Sequence, residues 1–473
     1  MRQLITHVTG WYRLPKGTSH GTDEGGRLVL ARGDRRFAIG PLLPGVDRAV
    51  RALAGSPLPG DLLAEAAGVE PGAVAQLHHV VSRLADRAWL ERTVVVDEVP
   101  LATIRPVGFP FVAPQRALAA GAPVTLSRFA SAHRDDGSLV VTSPRSPSVV
   151  VLDDPRVAAL VARLATPLTV GGSDGEAYGL APSATNAVLD LLDEARLLVA
   201  EPAGPGSGEE EAEHALAQWS RMDLAFHAAT RYGRREGGYG GTFPLAGRFE
   251  PLPDHVTMAG PLMLLDRPDL SAGVGGDVSL STVLATRRSV REHDDGAPIT
   301  LAQLGDFLYR SAGVRPGLGG RPYPSGGGLY ELELYPAVGC CAGLQPGLYR
   351  YDPVRHGLCL VAVDGPAVQR LLEDGRARSL MARPPQVLVV VAARFGRVMY
   401  KYEAIAYATV LKNVGALYQT MYCVATAMGL APCALGGGSA DAFCAAAGSD
   451  FLVESSVGEF LIGSGVEREE RRG

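Results

Sequence analysis

Three adjacent ionisable side chains, Lys401, Tyr402 and Glu403, interrupt an otherwise apolar part of the sequence, MYKYEAIAY. The apolar run QVLVVVAARFG precedes them and predicts a buried strand, and helical spacing of apolar residues predicts a long helix from about Glu403 to Met428. A lysine amine or a tyrosine oxygen in its basic form can accept a proton from carbon. The structural alternative is that Lys401 extends to solvent, Tyr402 packs in the core, and Glu403 is stabilised by the helix dipole.

A basic cluster directly follows the apolar segment SLSTVLAT and contains Arg287, Arg288, Ser289 and Arg291. A guanidinium group is planar and donates two parallel hydrogen bonds to phosphate oxygens, and a serine hydroxyl can add another. The cluster therefore indicates a phosphate site. The alternative is a solvated basic helix end.

Two glycine-rich turns could line the same ligand site, PSGGG from Pro324 and ALGGGS from Ala434. Because glycine has no Cβ, backbone amides in such turns can approach a ligand closely. The first turn leads into LYELELYPAV, whose alternation predicts a strand, and the second follows the predicted long helix. The segment GLYRYDPVRHGLCLV predicts a hairpin and VGEFLIGSG a final strand.

The bulk composition describes a globular protein of more than one domain. Its 473 residues exceed one ordinary core, and 47% of them are hydrophobic and 20% charged. The net charge of −5 gives no general attraction to nucleic acid or to an anionic membrane. No apolar run reaches the ~18 residues of a membrane span, and the N-terminus lacks a signal-peptide core. We therefore expect a cytoplasmic protein with neither a nucleic-acid nor a membrane partner.

The cysteines predict neither a disulfide framework nor a metal site. The six lie between Cys340 and Cys444, and no two of them form a CxxC pair. Each is expected to act as a small buried hydrophobic residue.

The first 200 residues contain an internal duplication, with one copy beginning GRLVLARGDRRFAIG at Gly26 and the other GSLVVTSPRSPSVVV at Gly137. Each copy has two short β-rich runs split by a polar turn, then an amphipathic helix, a Pro/Gly break and a closing amphipathic helix. The pattern predicts two winged-helix-like modules, residues 1–100 and 101–201. They are either structural or dimerisation pieces, or modules whose exposed strand edge binds an extended peptide.

The chain changes character twice after the modules. Residues 202–276 begin with the small, acidic linker-like run PAGPGSGEEEAE and continue with a helical stretch and a Gly/Pro-rich segment that we expect to wrap the next domain. Across residues 277–473 helices alternate with strands, which is typical of an α/β or α+β enzyme domain.

Five motifs of the second half occur in a recognisable order: RRSVR, YPSGGGLYELELY, GLYRYDP, MYKYE and QTMYCVATAMGLAPCALGGG. Together they resemble the nitroreductase family and, more narrowly, the SagB-type FMN-dependent azoline dehydrogenases of ribosomal peptide natural-product pathways. The resemblance covers roughly residues 215–470 and extends more faintly to the duplicated modules. It implies an α+β nitroreductase-like flavin fold, an obligate homodimer and FMN at the dimer interface.

The resemblance also implies a role for each motif. Phosphate and ribityl oxygens of FMN would be held by Arg287, Arg288, Ser289 and Arg291. The flavin would be lined from the other subunit by Pro324, Ser325, Gly326 and Gly327, with further contacts from Gln419, Leu435, Gly436, Gly437 and Gly438. Lys401 and Tyr402 match the family's functional Lys-Tyr pair. The C-terminus departs from the pattern, because Arg468, Arg471 and Arg472 come only after acidic residues.

The implied activity is oxidation of thiazoline or oxazoline rings in a peptide to thiazoles or oxazoles. The implied partners are a second copy of the chain, a leader-bearing precursor peptide and a cyclodehydratase. Two alternatives are an NAD(P)H-dependent small-molecule nitroreductase or flavin reductase, and a non-catalytic scaffold that docks the peptide. The ~200-residue extension argues against the first, and the intact Lys401-Tyr402 pair argues against the second.

Overall fold

A computed structural model describes residues 8–33, 35–107, 118–200, 209–234, 237–256, 260–269, 278–317 and 319–466. The chain forms two compact units, Met1–Gly237 and Gly238–Gly473. The segment predicted as linker and wrapping region, residues 202–276, is thus divided between the units, and the second unit begins at Gly238 rather than at residue 277. Among the described residues, no helix is both long and apolar enough to cross a membrane.

The first unit combines short strands with short helices. Its strands are β1 (Val8–Arg13), β2 (Ser19–Thr22), β3 (Leu28–Arg32), β4 (Arg35–Ile39), β5 (Leu58–Pro59), β6 (Glu91–Val96), β7 (Val99–Pro106), β8 (Pro123–Leu126), β9 (Ser131–Asp135), β10 (Ser138–Thr142), β11 (Ser148–Leu152), β12 (Leu168–Thr169) and β13 (Leu198–Ala200). Its helices are α1 (Pro44–Ala52), α2 (Gly60–Ala67), α3 (Ala73–Asp86), α4 (Pro155–Arg163), α5 (Pro182–Glu194), α6 (Glu209–Ala212), α7 (His214–Ala217) and α8 (Arg221–Ala229), with a 3₁₀ helix at Asp174–Tyr178.

The predicted duplication is present in the strand pairing. The first copy pairs its strands as β5-β1-β6 and β2-β3-β4, and the second copy pairs them in the same way as β12-β8-β13 and β9-β10-β11. The helices also correspond, because α1 and α4 each have nine residues and begin with a proline. Strand β7 joins the copies into one sheet of order β5-β1-β6-β7-β11-β10-β9. Each copy thus contains the predicted strands and helices, and its likeness to a winged helix stays a prediction.

Each copy buries its own apolar residues. In the first copy Leu30 and Val46 belong to a cluster that also takes in Leu84 of α3. In the second copy Val150 and Leu160 lie in a separate cluster with the inner face of α5. The helical spacing of apolar residues in the sequence therefore corresponds to the faces that are buried.

The second unit is built on one antiparallel sheet, order β14-β17-β16-β15-β18-β20-β19. Its strands are β14 (Leu262–Leu264), β15 (Leu332–Val338), β16 (Gly347–Asp352), β17 (Gly357–Val363), β18 (Val387–Arg394), β19 (Leu430–Ala434) and β20 (Glu454–Ser464). Its helices are α9 (Leu280–Thr286), α10 (Leu301–Ala312), α11 (Pro366–Ser379), α12 (Phe395–Lys401), α13 (Ala406–Ala427) and α14 (Ala440–Ala447). The predicted hairpin, the buried strand and the final strand are all present, and the α+β prediction is confirmed.

Strand β18 is buried on both faces because helices cover both sides of the sheet. Val389 and Val391 join a cluster with Phe307 of α10 and Leu417 of α13, whereas the alternate residues Leu388 and Val390 pack with α11 and α14. This explains why the sequence VLVVVAAR is continuously apolar, since a strand covered on both faces has no polar side.

The predicted helix from Glu403 to Met428 needs correction, because helix α13 spans Ala406–Ala427 and the shorter helix α12 precedes it. The backbone leaves helical geometry at Tyr402 (ψ 137°) and turns through Ala404 at φ +65°. Glu403 is held in this break by backbone hydrogen bonds with Gly240, N···O 2.9 and 3.2 Å. Long-range pairing thus competes successfully with local helix propensity at these residues.

Candidate active site

The predicted catalytic pair lies at the break between α12 and α13. Lys401 is the last residue of α12 and Tyr402 is its C-terminal cap. The Lys401 ammonium lies 5.4 Å from the centre of the Tyr402 ring, within cation–π range. Tyr402 is half-buried and packs its ring against the main core cluster. The core therefore fixes the phenol, and the phenol in turn restricts where the lysine amine can lie.

The first glycine turn touches this pair. The Lys401 Nζ lies 3.5 Å from the carbonyl oxygen of Gly327 and donates toward it. Gly327 has a φ of +69°, and a Cβ at this position would lie 2.5 Å from Tyr402 Oη and 2.8 Å from Lys401 Nζ. Only glycine is compatible with both the conformation and the close approach. Two groups that the sequence separates by more than 70 residues thus meet at one point.

A buried polar network holds the same turn from behind. Asn413 of α13 accepts a hydrogen bond from the Gly326 N–H at 2.9 Å and donates to Glu331 Oε1 at 2.8 Å. The Ser325 hydroxyl donates to the other oxygen of Glu331 at 3.2 Å and accepts from the Tyr330 N–H. Glu331 and Asn413 are buried. Sequence analysis missed both residues, although the two glutamates in the otherwise apolar GLYELELY run were a usable signal.

Glu403 has a different role from the predicted one at a helix start. Its carboxylate accepts hydrogen bonds from the Gly238 N–H at 3.1 Å and from the Thr242 hydroxyl at 3.0 Å. The Phe243 N–H donates to the Lys401 carbonyl at 3.1 Å. Residues 238–243 therefore lie alongside the predicted catalytic pair, and all of them belong to the second unit.

The basic cluster meets the second glycine turn through Tyr422, which sequence analysis missed. Its hydroxyl lies 2.8 Å from the Ser289 hydroxyl and accepts from the Ala434 N–H, also at 2.8 Å. The Arg287 guanidinium lies 5.0 Å from the centre of the Tyr422 ring. Tyr422 is thus a bridge that fixes the start of the Leu435–Gly438 turn relative to the cluster.

The other two arginines of the cluster, Arg288 and Arg291, are exposed. Arg288 borders a cavity of about 210 Å³ that Pro432 and Gly465 also line. These side chains are accessible to an anionic ligand. Gln419 is exposed on α13 and lies 3.5 Å from Cys423 Sγ through its amide nitrogen.

A buried carboxyl group supports the Leu435–Gly438 turn. The Glu459 carbonyl accepts from the Leu435 N–H at 2.9 Å, and its side chain occupies the space where a Cβ on Gly438 would be. The Ser456 hydroxyl donates to this carboxyl group. Burial raises the pKa of Glu459 above its ordinary value. Gly436 and Gly437 face open space, as a turn that approaches a ligand requires.

The predicted site residues therefore form two groups. Lys401, Tyr402 and the Pro324–Gly327 turn lie near Asn413, and the basic cluster and the Leu435–Gly438 turn lie near Tyr422. Tyr422 lies nine positions beyond Asn413 on α13, which corresponds to about 13 Å along the helix. Each group combines a glycine-rich turn with polar residues, and this combination suits a flat heteroaromatic cofactor that carries a phosphate.

His227 and His293 contact residues that belong to neither group. His227 belongs to the first unit and stacks on Trp219, and His293 packs beside Gly463 with its Nδ1 3.2 Å from the Gln386 nitrogen. The residues Arg468, Arg471 and Arg472 lie outside the described residues. Over the described part of the chain, no group of three or more His, Cys, Asp or Glu side chains is placed to hold a metal ion.

Comparison with known proteins gives two family matches. The nitroreductase family model matches residues 284–463, and the model of the cyanobactin oxidase ThcOx matches residues 124–236. A putative nitroreductase from Methanocaldococcus jannaschii is 32% identical over 177 residues, covering 37% of this chain and 85% of that protein. The microcin B17-processing protein McbC of Escherichia coli is 32% identical over 124 residues, covering 24% of this chain and 43% of McbC.

Among solved structures, a putative nitroreductase from Ralstonia eutropha aligns with a TM-score of 0.37 and 24% identity, covering 49% of this chain and 100% of that one. A chain of the E. coli microcin synthetase McbBCD complex aligns with a TM-score of 0.35 and 21% identity, covering 52% of this chain and 92% of that one. The nitroreductase model matches residues of the second unit, and the M. jannaschii protein is 32% identical with 85% of its length covered. The chain therefore belongs to the nitroreductase family, and it is an oxidoreductase.

Proposed function

We propose that this protein is an FMN-dependent dehydrogenase that oxidises thiazoline or oxazoline rings in a ribosomally made peptide to thiazoles or oxazoles. The observation that carries the proposal is the convergence of Lys401 Nζ and Tyr402 Oη on Gly327. Oxidation of an azoline ring requires a group that accepts a proton from a ring carbon. That group must lie beside a space that admits the planar ring, and the Gly327 turn provides this arrangement. The matches to a cyanobactin oxidase and to a microcin-processing protein support the choice of peptide substrate.

The reaction removes one hydride and one proton from the azoline ring, and the ring becomes aromatic. Bound FMN would supply the acceptor for the hydride and its two electrons. The proton leaves the peptide α-carbon to the Lys401-Tyr402 pair, whose two polar atoms lie on the same side of the Gly327 backbone. Gly327 keeps that side clear, because any side chain there would occupy the position of the substrate or displace the pair.

The residues of the second unit suit FMN. The basic cluster at Arg287 to Arg291 offers guanidinium groups and a hydroxyl to a phosphate and a ribityl chain. Gly436 and Gly437 have open space beside them, so their backbone amides are accessible to a flavin ring, on which they can stabilise negative charge. The two groups belong to one site that a second copy of the chain completes, so the active protein is a homodimer.

The partners follow from the substrate. Azolines are made from cysteine, serine or threonine residues by a cyclodehydratase, and that enzyme must act before this one. The precursor carries a leader, which at least one of the duplicated modules of the first unit binds. The reaction takes place in the cytoplasm, where the precursor is synthesised.

Purified full-length protein provides the test. It should be yellow and should convert a synthetic thiazoline peptide to the thiazole, with a mass loss of two hydrogens and bleaching of the flavin without oxygen. A colourless preparation that binds no added FMN would overturn the proposal.

A second candidate is an NAD(P)H-dependent nitroreductase or flavin reductase, favoured by the similarity to the M. jannaschii protein. Anaerobic mixing with NADPH separates the candidates. Rapid bleaching by NADPH, together with no reaction of the thiazoline peptide, would favour the second candidate.

A further inference from the structure

The sheet of the second unit contains a gap between two of its strands. Strands β15 and β16 pair only at Ala337↔Leu348 and Val338↔Gly347, whereas β15 pairs with β18 along all seven of its residues. The first residue of β15 beyond the pairing with β16 is Pro336, which has no N–H to donate. Residues of both strands, and of the turn that follows β16, line a cavity of about 320 Å³ there. Small-molecule sites in proteins begin at about this volume.

Two buried arginines, Arg321 and Arg350, line the cavity and are 4% and 7% exposed. The Arg321 guanidinium donates through Nη1 to the Leu332 carbonyl at 2.5 Å and to the Tyr323 hydroxyl at 3.3 Å. Arg350 forms an ion pair with Glu333, with Nη2 and Oε2 3.3 Å apart. Among the described residues, the two guanidinium groups have no other hydrogen bond or ion pair. Each guanidinium has five N–H donors, so most of these donors lack a protein acceptor.

The nearby carboxylates are already engaged by other groups. Glu333 is shared with Arg394, whose Nη1 lies 3.7 Å from Oε1 and has no hydrogen-bond partner among the described residues. Glu331 and Glu454 accept hydrogen bonds from uncharged side chains. A buried donor without an acceptor costs about 1–3 kcal/mol, and a ligand with acceptor oxygens in the cavity would remove this cost for Arg350.

The charges and apolar groups of the lining indicate the kind of ligand. The two buried arginines and Arg355 stand against two carboxylates, Glu333 and Asp352, and Arg355 pairs with Asp352 at 2.7 Å. One positive charge of the lining is therefore left over, which matches a ligand with a single negative charge. Val256 and Val354 also line the cavity and offer an apolar contact. A carboxylate can accept two parallel hydrogen bonds from a guanidinium.

We propose that this cavity is a binding site for a small aliphatic carboxylate, whose oxygens accept hydrogen bonds from Arg321 and Arg350 and whose apolar part contacts Val256 and Val354. A free acid and the C-terminal carboxylate of a peptide present the same chemistry. The proposal does not rest on the proposed function, because none of the residues that line the cavity belongs to the two groups of predicted site residues.

Calorimetric titration of the full-length protein, with FMN added so that a flavin site is filled, tests the proposal with defined probes. Isovalerate should bind in a saturable way, and isovaleramide, which has the same shape without the charge, should not bind. The tripeptide Gly-Gly-Leu and its C-terminal amide distinguish the two sources of a carboxylate. Competition with isovalerate by the free tripeptide alone supports the site and extends it to peptide termini, whereas binding of isovalerate alone supports it for free acids.

Two variants locate the binding. Arg350→Gln should weaken isovalerate binding about tenfold or more, because charge-assisted hydrogen bonds are lost, and Arg370→Gln at an exposed arginine of α11 should bind like wild type. Arg350→Gln also leaves the buried Glu333 with one partner fewer and can destabilise the chain. Val354→Trp avoids this problem, because it fills the cavity from a partly exposed position and changes no buried charge. It should abolish binding, whereas Val363→Trp at an exposed position of β17 should bind like wild type.

Three results would overturn the proposal: no saturable binding of isovalerate by the wild-type protein, equal binding of isovaleramide, or wild-type binding by Val354→Trp. Each would leave the arginines as structural groups that face water in the cavity. Inorganic phosphate is titrated in parallel, and binding of phosphate without binding of isovalerate would also contradict the assignment to a carboxylate.

Discussion

At the scale of single residues, the site depends on three atoms from two parts of the chain: Lys401 Nζ and Tyr402 Oη from adjacent residues, and the Gly327 carbonyl oxygen. The lysine donates toward the carbonyl, and the tyrosine ring anchors the arrangement in the core. A proton acceptor must be held within a few tenths of an ångström of its working position, and packing of this kind provides that restraint.

We expect Lys401→Met and Tyr402→Phe each to keep fold and flavin while lowering turnover of a thiazoline peptide ~10²–10⁴-fold, the usual contribution of general acid–base assistance. Both changes preserve apolar bulk, so packing losses should be small. The double variant should resemble the worse single variant, since the two residues act as a unit. Turnover and flavin content are measured on the same preparations.

The matched controls are Lys412→Met and Tyr407→Phe, which make the same chemical changes at exposed positions of α13. Both should turn over the peptide at the wild-type rate. Near wild-type turnover in the Lys401 and Tyr402 variants would remove them from the chemistry, and joint loss of flavin and fold would make them structural.

His293 should make the protein less stable in mild acid. Burial lowers its pKa from the ordinary 6.5 to about 4, so between these values the unfolded chain binds a proton that the folded chain does not. Stability is therefore highest above pH 6.5 and falls as the pH decreases toward 4. From pH 6.5 to 5 the loss should be about 2 kcal/mol. His293→Asn should lose this pH dependence in urea unfolding, whereas His255→Asn at an exposed histidine should keep it.

At the scale of elements, the network around Asn413 joins helix α13 to the glycine turn and to the start of β15. The Asn413 amide uses its oxygen for Gly326 and its nitrogen for Glu331, so it needs one orientation. Asn413 bonds both to the turn and to a buried carboxylate. The position of the glycine turn therefore depends on the position of α13.

Asn413→Ala should lower the free energy of unfolding by about 1–3 kcal/mol, because it leaves a buried acceptor on Glu331 and a donor on Gly326 without this partner. FMN affinity should also fall, since the Gly326–Gly327 turn loses its support. Chemical denaturation and a flavin fluorescence titration measure the two effects. Lys412→Ala on the exposed side of the same helix is the control, and equal stability of the two variants would contradict the structural role of the network.

At the scale of the whole molecule, the two groups of predicted site residues lie near Asn413 and near Tyr422 of α13. We expect a homodimer with two FMN molecules, in which the Pro324–Gly327 turn of one copy faces the basic cluster of the other. Sedimentation and flavin absorbance on one sample measure the subunit number and the FMN content. A monomer that carries stoichiometric FMN would contradict the shared site.

Arg288→Ala combined with Ser289→Ala should lower FMN occupancy without unfolding the chain, because two of the predicted phosphate contacts are lost while the core is untouched. Ser289 also contacts Tyr422, so Ser289→Ala alone should have the smaller part of the effect. Arg370→Ala, at an exposed arginine on α11, provides the control for a simple change of charge.

Local patterns in the sequence were sufficient to predict many of the strands and the family of this protein. The alternation in LYELELYPAV, the apolar run of β18 and the order of the five motifs predicted the strands and the family, because periodicity and motif spacing are properties of neighbouring residues. The duplication was likewise visible from Gly26 and Gly137 onward. The roles of the predicted site residues stay predictions, although the structure brings them together in two groups.

Tertiary structure decided what depends on distant residues. The long helix begins at Ala406 because Glu403 pairs with Gly240, and no local propensity indicates that pairing. Tyr422, Asn413 and Glu459 support the two glycine turns from elsewhere in the chain, so their roles become visible only when the turns and the helix are in contact. The edge of β11 is filled by β7 while β4 has no such neighbour among the described strands, although the two copies have the same local pattern. Strand pairing between remote segments, rather than the preference of each segment, settles which edge is covered.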